Sequence, residues 1–258
     1  MARLQEIWKE QVARRAKKKA IVLVNGGFTV DAKPYPCGVH CRKKNTARIG
    51  LTWGIVIGSY GMPRMVELQL AAIFKTCGAV PILVADDFSP QRDVIEGMCV
   101  GNALFWGNRE RAGHHAGDLS AFWKGLTWAD DYGIRILAKL SQRFIVTKDR
   151  WLQDIAKELA ESGSPLAGGF FSAGTRPLIR TEAMVLDVKQ WLPKKTKLPF
   201  RLTGAEHSIS DLFAEFGKPI HPWQLVAKIK QAKTDGVLWH LTSPSKEYDK
   251  ARQGLGLS

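Results

Sequence analysis

The chain has 258 residues, of which 45% are hydrophobic and 24% are charged, and its formal net charge at pH 7 is +14. This composition is typical of a globular protein and excludes a disordered chain. No stretch approaches the roughly 18 consecutive apolar residues of a membrane span, and residues 1–20 carry charges throughout instead of the apolar run of a secretory signal. Four cysteines are too few for a disulfide scaffold. We therefore expect a cytoplasmic protein, in a cell or in an infected host.

Positive charge is concentrated near the N-terminus. Residues 1–50 hold 12 Lys and Arg against three acids, a balance of +9 out of the total of +14. Such a concentration favours a polyanionic partner, of which nucleic acid is the main example; a solvated basic tail that only aids solubility is the alternative. The candidate nucleic-acid-binding residues are Arg14, Arg15, Lys17, Lys18, Lys19, Arg42, Lys43 and Lys44.

The sequence divides into three predicted segments. Residues 1–50 form a basic extension, with a helix at 1–19, a short strand at 20–24 and an irregular stretch after residue 31. Residues 51–241 form the main domain, and residues 242–258 form a C-terminal tail.

In the main domain, short apolar runs alternate with stretches of helical spacing. Strand, helix and strand within about 30 residues make a βαβ unit, in which the two strands are parallel and the crossover is right-handed. The fold class is therefore α/β, with a mostly parallel sheet flanked by helices. We predict strands at 54–58, 81–85, 103–106, 134–138, 169–172 and 183–186, and helices at 64–77, 94–98, 118–129, 151–159, 209–216 and 223–232.

Several common motifs are missing. The sequence has no GxxxxGK[ST] and no GxGxxG after a strand, and the spacing in 169–174 does not fit the GxSxG elbow of serine hydrolases. Cys37, His40 and Cys41 are a candidate zinc site, although their spacing matches no standard zinc motif, and loop or buried cysteines are the alternative. A fourth ligand would come from Cys77, Cys99, His114 or His115.

Polar residues follow several of the predicted strands. Ligands of open α/β sheets bind at the carboxyl ends of the strands, so these residues are expected to converge on one edge. Acids accept hydrogen bonds from a base or a ribose, while Lys and Arg neutralise phosphates, which favours a nucleotide site. The residues in question are Ser59, Tyr60, Asp86, Asp87, His114, His115, Asp118, Lys139, Gln142 and Arg143.

The first βαβ unit carries a family resemblance. Gly58–Pro63, the helix after it and Ile82–Ser89 resemble the opening of a GT-A glycosyltransferase of the family-two type. In that fold the second strand ends in an Asp-Asp-Gly-Ser-like sequence that binds the base and ribose of a nucleotide sugar; here Phe88 takes the place of the glycine. The resemblance implies a GT-A, Rossmann-like fold over residues 53–240.

Two later positions extend the resemblance. Glu206, after Gly204, is similar to the acid that serves as general base in inverting members of the family. His240 resembles a C-terminal histidine that some members use to bind the metal. Each has a structural alternative, since an acid in a first helical turn is favoured by the helix dipole and a histidine after an apolar run is often buried and hydrogen-bonded.

One departure from the family concerns the metal. The Asp-x-Asp that closes the fourth strand and holds a divalent cation is missing, and residues 139–143 provide Lys139 and Arg143 instead. Fixed positive charge would then stabilise the leaving diphosphate, which implies a metal-independent enzyme or one with weakly held Mn or Mg. The alternative is a structural ion pair of these cations with Asp118 or Asp130.

The resemblance implies transfer of a sugar from a nucleotide sugar to an acceptor hydroxyl. Glu206 would take the acceptor proton, and Lys139 and Arg143 would stabilise the leaving group. The donor would be bound by Ser59, Tyr60, Asp86, Asp87 and Asp118, although Asp86 and Asp87 are also suited to capping the turn that follows their strand.

The basic segments indicate a polyanionic acceptor. We hypothesise a hydroxymethylated pyrimidine base in DNA, by analogy with viral DNA-modifying glycosyltransferases. Two alternatives remain: a nucleic-acid-binding protein on a degenerate transferase scaffold, and a cytoplasmic transferase that acts on a small molecule or glycan.

Overall fold

The computed structural model describes residues 52–173, 176–197, 204–222, 226–228, 238–241 and 244–257. The basic extension therefore lies outside the described residues, together with its eight candidate nucleic-acid-binding residues and the candidate zinc ligands Cys37, His40 and Cys41. Among the described residues, no helix is long and apolar enough to cross a membrane.

Strands and helices alternate along the first half of the described chain. Every strand and helix predicted between residues 53 and 216 is confirmed, usually with longer bounds. In chain order they are β1 (Trp53–Ser59), α1 (Pro63–Cys77), β2 (Ile82–Asp86), α2 (Arg92–Met98), β3 (Ala103–Gly107), α3 (His114–Tyr132), β4 (Ile136–Ser141), β5 (Phe144–Val146), α4 (Trp151–Ser162), β6 (Leu166–Ala173), β7 (Arg176–Asp187), α5 (Val188–Trp191) with a 3-10 turn at Leu192–Lys197, α6 (Ala205–Ala214), β8 (His221–Pro222), β9 (Val226–Lys228), β10 (Leu238–His240) and α7 (Pro244–Gly254).

The main sheet has seven strands among the described residues, in the order β3-β2-β1-β4-β7-β6-β8. The first four are mutually parallel, β7 runs antiparallel to both of its neighbours, and β8 is parallel to β6. This mostly parallel α/β sheet confirms the predicted fold class. A smaller sheet joins β5, β10 and β9, and its register sets His240 opposite Phe144.

Helices cover both faces of the main sheet, which explains why its central strands are apolar runs without alternation. All five residues of β2 are buried. One core cluster packs α1, α4 and α7 against one face, and the other packs α3 and α6 against the opposite face. Gly125 of α3 allows this helix to lie close to β1, because a Cβ there would stand 2.7 Å from Cγ1 of Val56.

Two predictions for the C-terminal part need correction. The helix predicted at 223–232 is wrong for the part that the structure describes, since Val226–Lys228 is a strand paired with β10. The predicted tail at 242–258 contains α7, and Tyr248, Ala251 and Leu255 are buried in the main core. Helical spacing of apolar residues gave the wrong element at 223–232 because periodicity alone does not distinguish a short strand from a helical segment.

Candidate functional site

A cleft of about 410 Å³ lies at the carboxyl ends of β1, β2 and β4, where the N-termini of α3 and α6 also meet. Ligands of open α/β sheets bind at this edge. Of the candidate residues from the sequence, Asp86 and Lys139 are fully buried and do not line the cleft. The cleft is lined by Ser59, Tyr60, Asp87, His114, His115, Asp118, Gln142, Arg143, Glu206 and His240.

Asp86 supports the wall of the cleft from behind, without lining it. Its Oδ2 accepts a hydrogen bond of 2.8 Å from the hydroxyl of Ser59, and its Oδ1 accepts one of 2.7 Å from the backbone N–H of Ser89. The Ser89 hydroxyl also donates to Asp86. These bonds join the end of β1 to the turn after β2, which is the turn-capping arrangement that the sequence left open.

Asp87 lines the cleft and organises the loop before α3. Its Oδ1 accepts from the side-chain amide of Asn108 at 2.7 Å and from the N–H of Ala112 at 2.8 Å, and its Oδ2 accepts from the N–H of Gly113 at 3.0 Å. Gly117 leaves room for this carboxylate, because a Cβ at that position would be 2.6 Å from Oδ2. Asp87 therefore fixes residues 108–113 along one side of the cleft.

Tyr60 is held from two directions. The side-chain amide of Gln142 accepts from the N–H of Tyr60 at 2.9 Å and donates to its carbonyl at 2.8 Å. The guanidinium of Arg111, in the loop fixed by Asp87, lies 4.4 Å from the centroid of the Tyr60 ring. The result is a flat aromatic and cationic pair at the β1 end of the cleft.

Lys139 forms a buried ion pair with Asp118 and donates to the carbonyl of Thr181 at 2.5 Å. This is the structural ion pair that the sequence left as an alternative. A buried ammonium requires such partners, since desolvation of an unpaired charge is costly. Asp118 offsets the charge of Lys139, whereas Arg143, beyond the end of β4, lines the cleft itself.

Glu206 and His240 also line the cleft. Glu206 is in the first turn of α6, after Gly204. The ring of His240 stacks on that of Phe144 with 4.5 Å between centroids and 7° between planes. Burial lowers the pKa of His240, and the charges of Arg180 and Arg143 lower it further, against the opposing effect of Glu182 and other acids. His240 is therefore neutral at pH 7.

Sequence reasoning missed Glu182. It lies on β7 and lines the cleft beside the other acids, and its Oε2 is buried with no hydrogen-bond partner among the described residues. The strand-end rule did not find it because β7 runs antiparallel to β4, so that Glu182 enters the site from within a strand. The available signal was a carboxylate directly before the predicted apolar strand at 183–186.

The position that holds the metal in the resembling family does not fit Mn or Mg here. These cations take oxygen ligands, chiefly carboxylates, whereas Ser141, Gln142 and Arg143 supply no carboxylate. The side-chain amide of Gln142 is already hydrogen-bonded to the backbone of Tyr60. No group of three or more His, Cys, Asp or Glu suited to a metal occurs in the described part of the chain. Burial raises the pKa of Cys77 to about 11, so this thiol is protonated at pH 7.

Comparisons with known proteins bear on the fold. No family model matches the sequence, and neither does any curated protein. The galactosyltransferase LgtC, solved with donor and acceptor sugar analogues, has a TM-score of 0.53 at 8% identity over 79% of this chain and 95% of its own. A glycosyltransferase involved in glycosylation of the major capsid of PBCV-1 has a TM-score of 0.53 at 11% identity, over 78% of this chain and 98% of its own. The chain has a GT-A fold.

Two further structures delimit what this GT-A fold implies. The mannosyltransferase PcManGT from Pyrobaculum calidifontis, in complex with GDP-Man and Mn2+, has a TM-score of 0.51 at 13% identity, over 86% of this chain and 64% of its own. A 4-diphosphocytidyl-2C-methyl-D-erythritol synthase from Anaerococcus prevotii has a TM-score of 0.52 at 11% identity, over 79% of this chain and 96% of its own. Because the last is not named a glycosyltransferase, the likeness establishes the fold, and the reaction has to be argued from the cleft.

Proposed function

We propose that this GT-A protein transfers a sugar from a nucleotide sugar to an acceptor hydroxyl without using a metal. The observation that carries the proposal is the order of groups along the cleft. The aromatic and cationic pair of Tyr60 and Arg111 is at the β1 end, Arg143 follows β4, and Glu206 lines the cleft from the first turn of α6. Base, diphosphate and acceptor would meet these groups in that order. The neighbours LgtC and PcManGT were solved with sugar-donor ligands, which supports the same use of this cleft.

Donor binding would rely on fixed charges. The base would lie against Tyr60, in the part of the cleft that Asp87 borders, and the diphosphate would lie between Arg111 and Arg143. The N-terminus of α3 faces the same space and favours anions, because its first N–H groups have no partner within the helix. Lys139 would act indirectly, by holding the carboxylate of Asp118 in the wall of the cleft.

The reaction would be a displacement at the anomeric carbon. The acceptor oxygen forms the new bond to that carbon, the bond from the carbon to the phosphate oxygen breaks, and the nucleoside diphosphate leaves with the electron pair. Glu206 takes the acceptor proton as general base. A single displacement of this kind inverts the anomeric centre. Arg143 offsets the charge that develops on the diphosphate.

For the acceptor, we propose a hydroxymethylated pyrimidine in DNA. The support is the net charge of +14, of which residues 1–50 hold +9. If the protein transfers no sugar to DNA but does transfer it to a hydroxyl of a smaller compound, the acceptor is a small molecule or glycan. The amide of Gln142 at the usual metal position favours a second candidate, a protein that binds nucleic acid without turnover.

The first test is a thermal-shift panel on the full chain. UDP, GDP, CDP, ADP and their common sugar conjugates would each be added with and without Mn2+; a ligand at a hundredfold excess over its Kd stabilises the native state by about 2.7 kcal/mol. We expect a shift with one nucleotide, equal in both conditions. A shift that requires Mn2+ contradicts the metal-free mechanism, and no shift with any nucleotide contradicts donor binding.

Two variants assign the roles. Arg143→Gln is expected to weaken binding of the nucleoside diphosphate about tenfold or more, because hydrogen bonds to charged groups contribute about 1.5–3 kcal/mol. Glu206→Gln is expected to keep that binding and to lose transfer. Lys157→Gln serves as the control, since Lys157 is exposed on α4 and its pair with Glu161 is of the surface type that contributes little.

A further inference from the structure

Two adjacent residues of β7 leave polar oxygens without partners at the cleft. Oε2 of Glu182 and Oγ1 of Thr181 are buried and accept no hydrogen bond from the described residues. Both residues line the cleft, and Thr181 is 1% exposed. Buried polar groups in native proteins are nearly always hydrogen-bonded, and a carboxylate oxygen without a partner is among the most costly exceptions. A ligand that brings hydrogen-bond donors would remove this cost.

The position of β7 in the sheet indicates which part of a ligand would reach it. The strands that meet the cleft are in the order β2, β1, β4 and β7. Neighbouring strands are about 4.8 Å apart, so that β7 lies roughly 14 Å from β2. Tyr60 follows β1 and Arg143 follows β4. A nucleotide sugar laid along this edge, with its base at Tyr60 and its diphosphate at Arg143, extends its sugar toward β7.

Alternation along the strand agrees with this placement. Met184 pairs with Lys139 across the β4–β7 ladder and belongs to the core cluster under α3. Residues two apart in a strand share a face, so Glu182 lies on the face where Lys139 holds Asp118. Glu182 therefore enters the cleft on the same side of the sheet as α3 and α6.

We propose that Glu182 accepts hydrogen bonds from hydroxyl groups of the transferred sugar and selects the nucleotide sugar over the free nucleoside diphosphate. This inference rests on the proposed function. Sugar hydroxyls are neutral donors, and a hydroxyl bonded to a carboxylate forms a short, charge-assisted hydrogen bond. A divalent cation is a poor alternative, because no cluster of three metal ligands is present in the described residues. A site built to bond a hydroxyl also discriminates strongly against an analogue that lacks it.

The test compares two ligands on the same full-length protein. Calorimetric Kd values are measured for the nucleoside diphosphate and the nucleotide sugar that give the shift above, chosen from UDP, GDP and their glucose, galactose and mannose conjugates. Glu182→Gln is expected to raise the Kd of the nucleotide sugar about tenfold or more, as loss of a hydrogen bond to a charged group predicts. The Kd of the nucleoside diphosphate is expected to stay within about twofold. Glu67→Gln, an exposed acid of α1, is the matched control.

A deoxy donor makes the comparison sharper. Removal of the bonded hydroxyl from the sugar is expected to weaken binding to the wild type and to have no further effect on binding to Glu182→Gln. The four Kd values form a double-mutant cycle in which one change is in the ligand and the other is in the protein. Equal loss of both ligands, together with a lower Tm, would mean that Glu182 is structural and would overturn the proposal. An unchanged ratio of the two Kd values would overturn it as well. If the wild type binds neither ligand, the proposed function itself fails, which is a different result.

Discussion

Phe88 has a backbone conformation that few side chains adopt. Its φ is 61°, in the left-handed region where a side chain costs roughly 1–2 kcal/mol. Hydrogen bonds from the N–H and hydroxyl of Ser89 to Asp86 hold the turn in this conformation. The side chain is 42% exposed, so the ring gains only part of the stabilisation that full burial would give. The resembling family has glycine here, which avoids this cost.

We therefore expect glycine to be more stabilising than alanine at position 88, the reverse of the usual order. Phe88→Gly relieves the left-handed strain, while Phe88→Ala removes the ring and keeps the strain. The glycine variant should be more stable than the alanine variant by about 1 kcal/mol, although alanine is the more stabilising residue at ordinary positions. Urea unfolding of both variants measures the difference, and an alanine variant of equal or higher stability would show that the turn relaxes.

His240 gives a pH dependence with a definite sign. Its pKa is lowered from 6.5 chiefly by burial, which outweighs the raising effect of Glu182, and Arg180 and Arg143 lower it further. In the unfolded chain it binds a proton near pH 6.5, while in the folded chain it does so only at lower pH. Its contribution to stability is therefore complete above pH 6.5 and is lost as the pH falls toward the folded value. Between pH 7.5 and 5, the free energy of unfolding of the wild type should fall more steeply than that of His240→Gln.

At the scale of elements, the sequence predicted what burial dictates. Strands covered on both faces become apolar runs, and amphipathic helices become stretches of helical spacing, so β1 to β4 and α1 to α4 were found. The roles of Asp86 and Lys139 were harder to predict, because a sequence shows which residues follow a strand but not which way their side chains bond. Glu182 and α7 were missed for the same reason, since their importance comes from pairing and packing between distant segments.

Two helical glycines provide a matched test of the loop before α3. Gly117→Ala brings a Cβ to 2.6 Å from Oδ2 and 2.8 Å from Cγ of Asp87, whose carboxylate holds three groups of the 108–113 loop. Gly97→Ala in α2 meets nothing within 4 Å. Overpacking costs roughly 1–3 kcal/mol, whereas alanine in an open helical position gains up to about 1 kcal/mol. We expect Gly117→Ala to lose stability and nucleotide affinity, and Gly97→Ala to lose neither.

At the scale of the whole molecule, charge separates the two parts of the chain. Residues 1–50 hold +9 of the net +14, while the cleft contains both acids and arginines. A compact nucleotide sugar needs local hydrogen bonds and a few fixed charges, which the cleft supplies. A polymer of phosphates needs many cations along its length, and the dense clusters of Lys and Arg provide them. Donor and acceptor recognition are therefore expected to respond differently to salt.

Salt dependence of DNA binding tests this division. Each phosphate neutralised by a lysine adds about −0.9 to the slope of log K against log salt for duplex DNA. Changing Lys17, Lys18 and Lys19 to glutamine should make that slope less negative by up to about 2.7 and weaken binding. The control has the same change of net charge on the described body, at the exposed residues Lys157, Lys246 and Lys250. An equal effect of both triple variants would indicate attraction by net charge alone. Binding that does not weaken with salt would exclude a polyanionic acceptor, since release of counterions accompanies every phosphate contact.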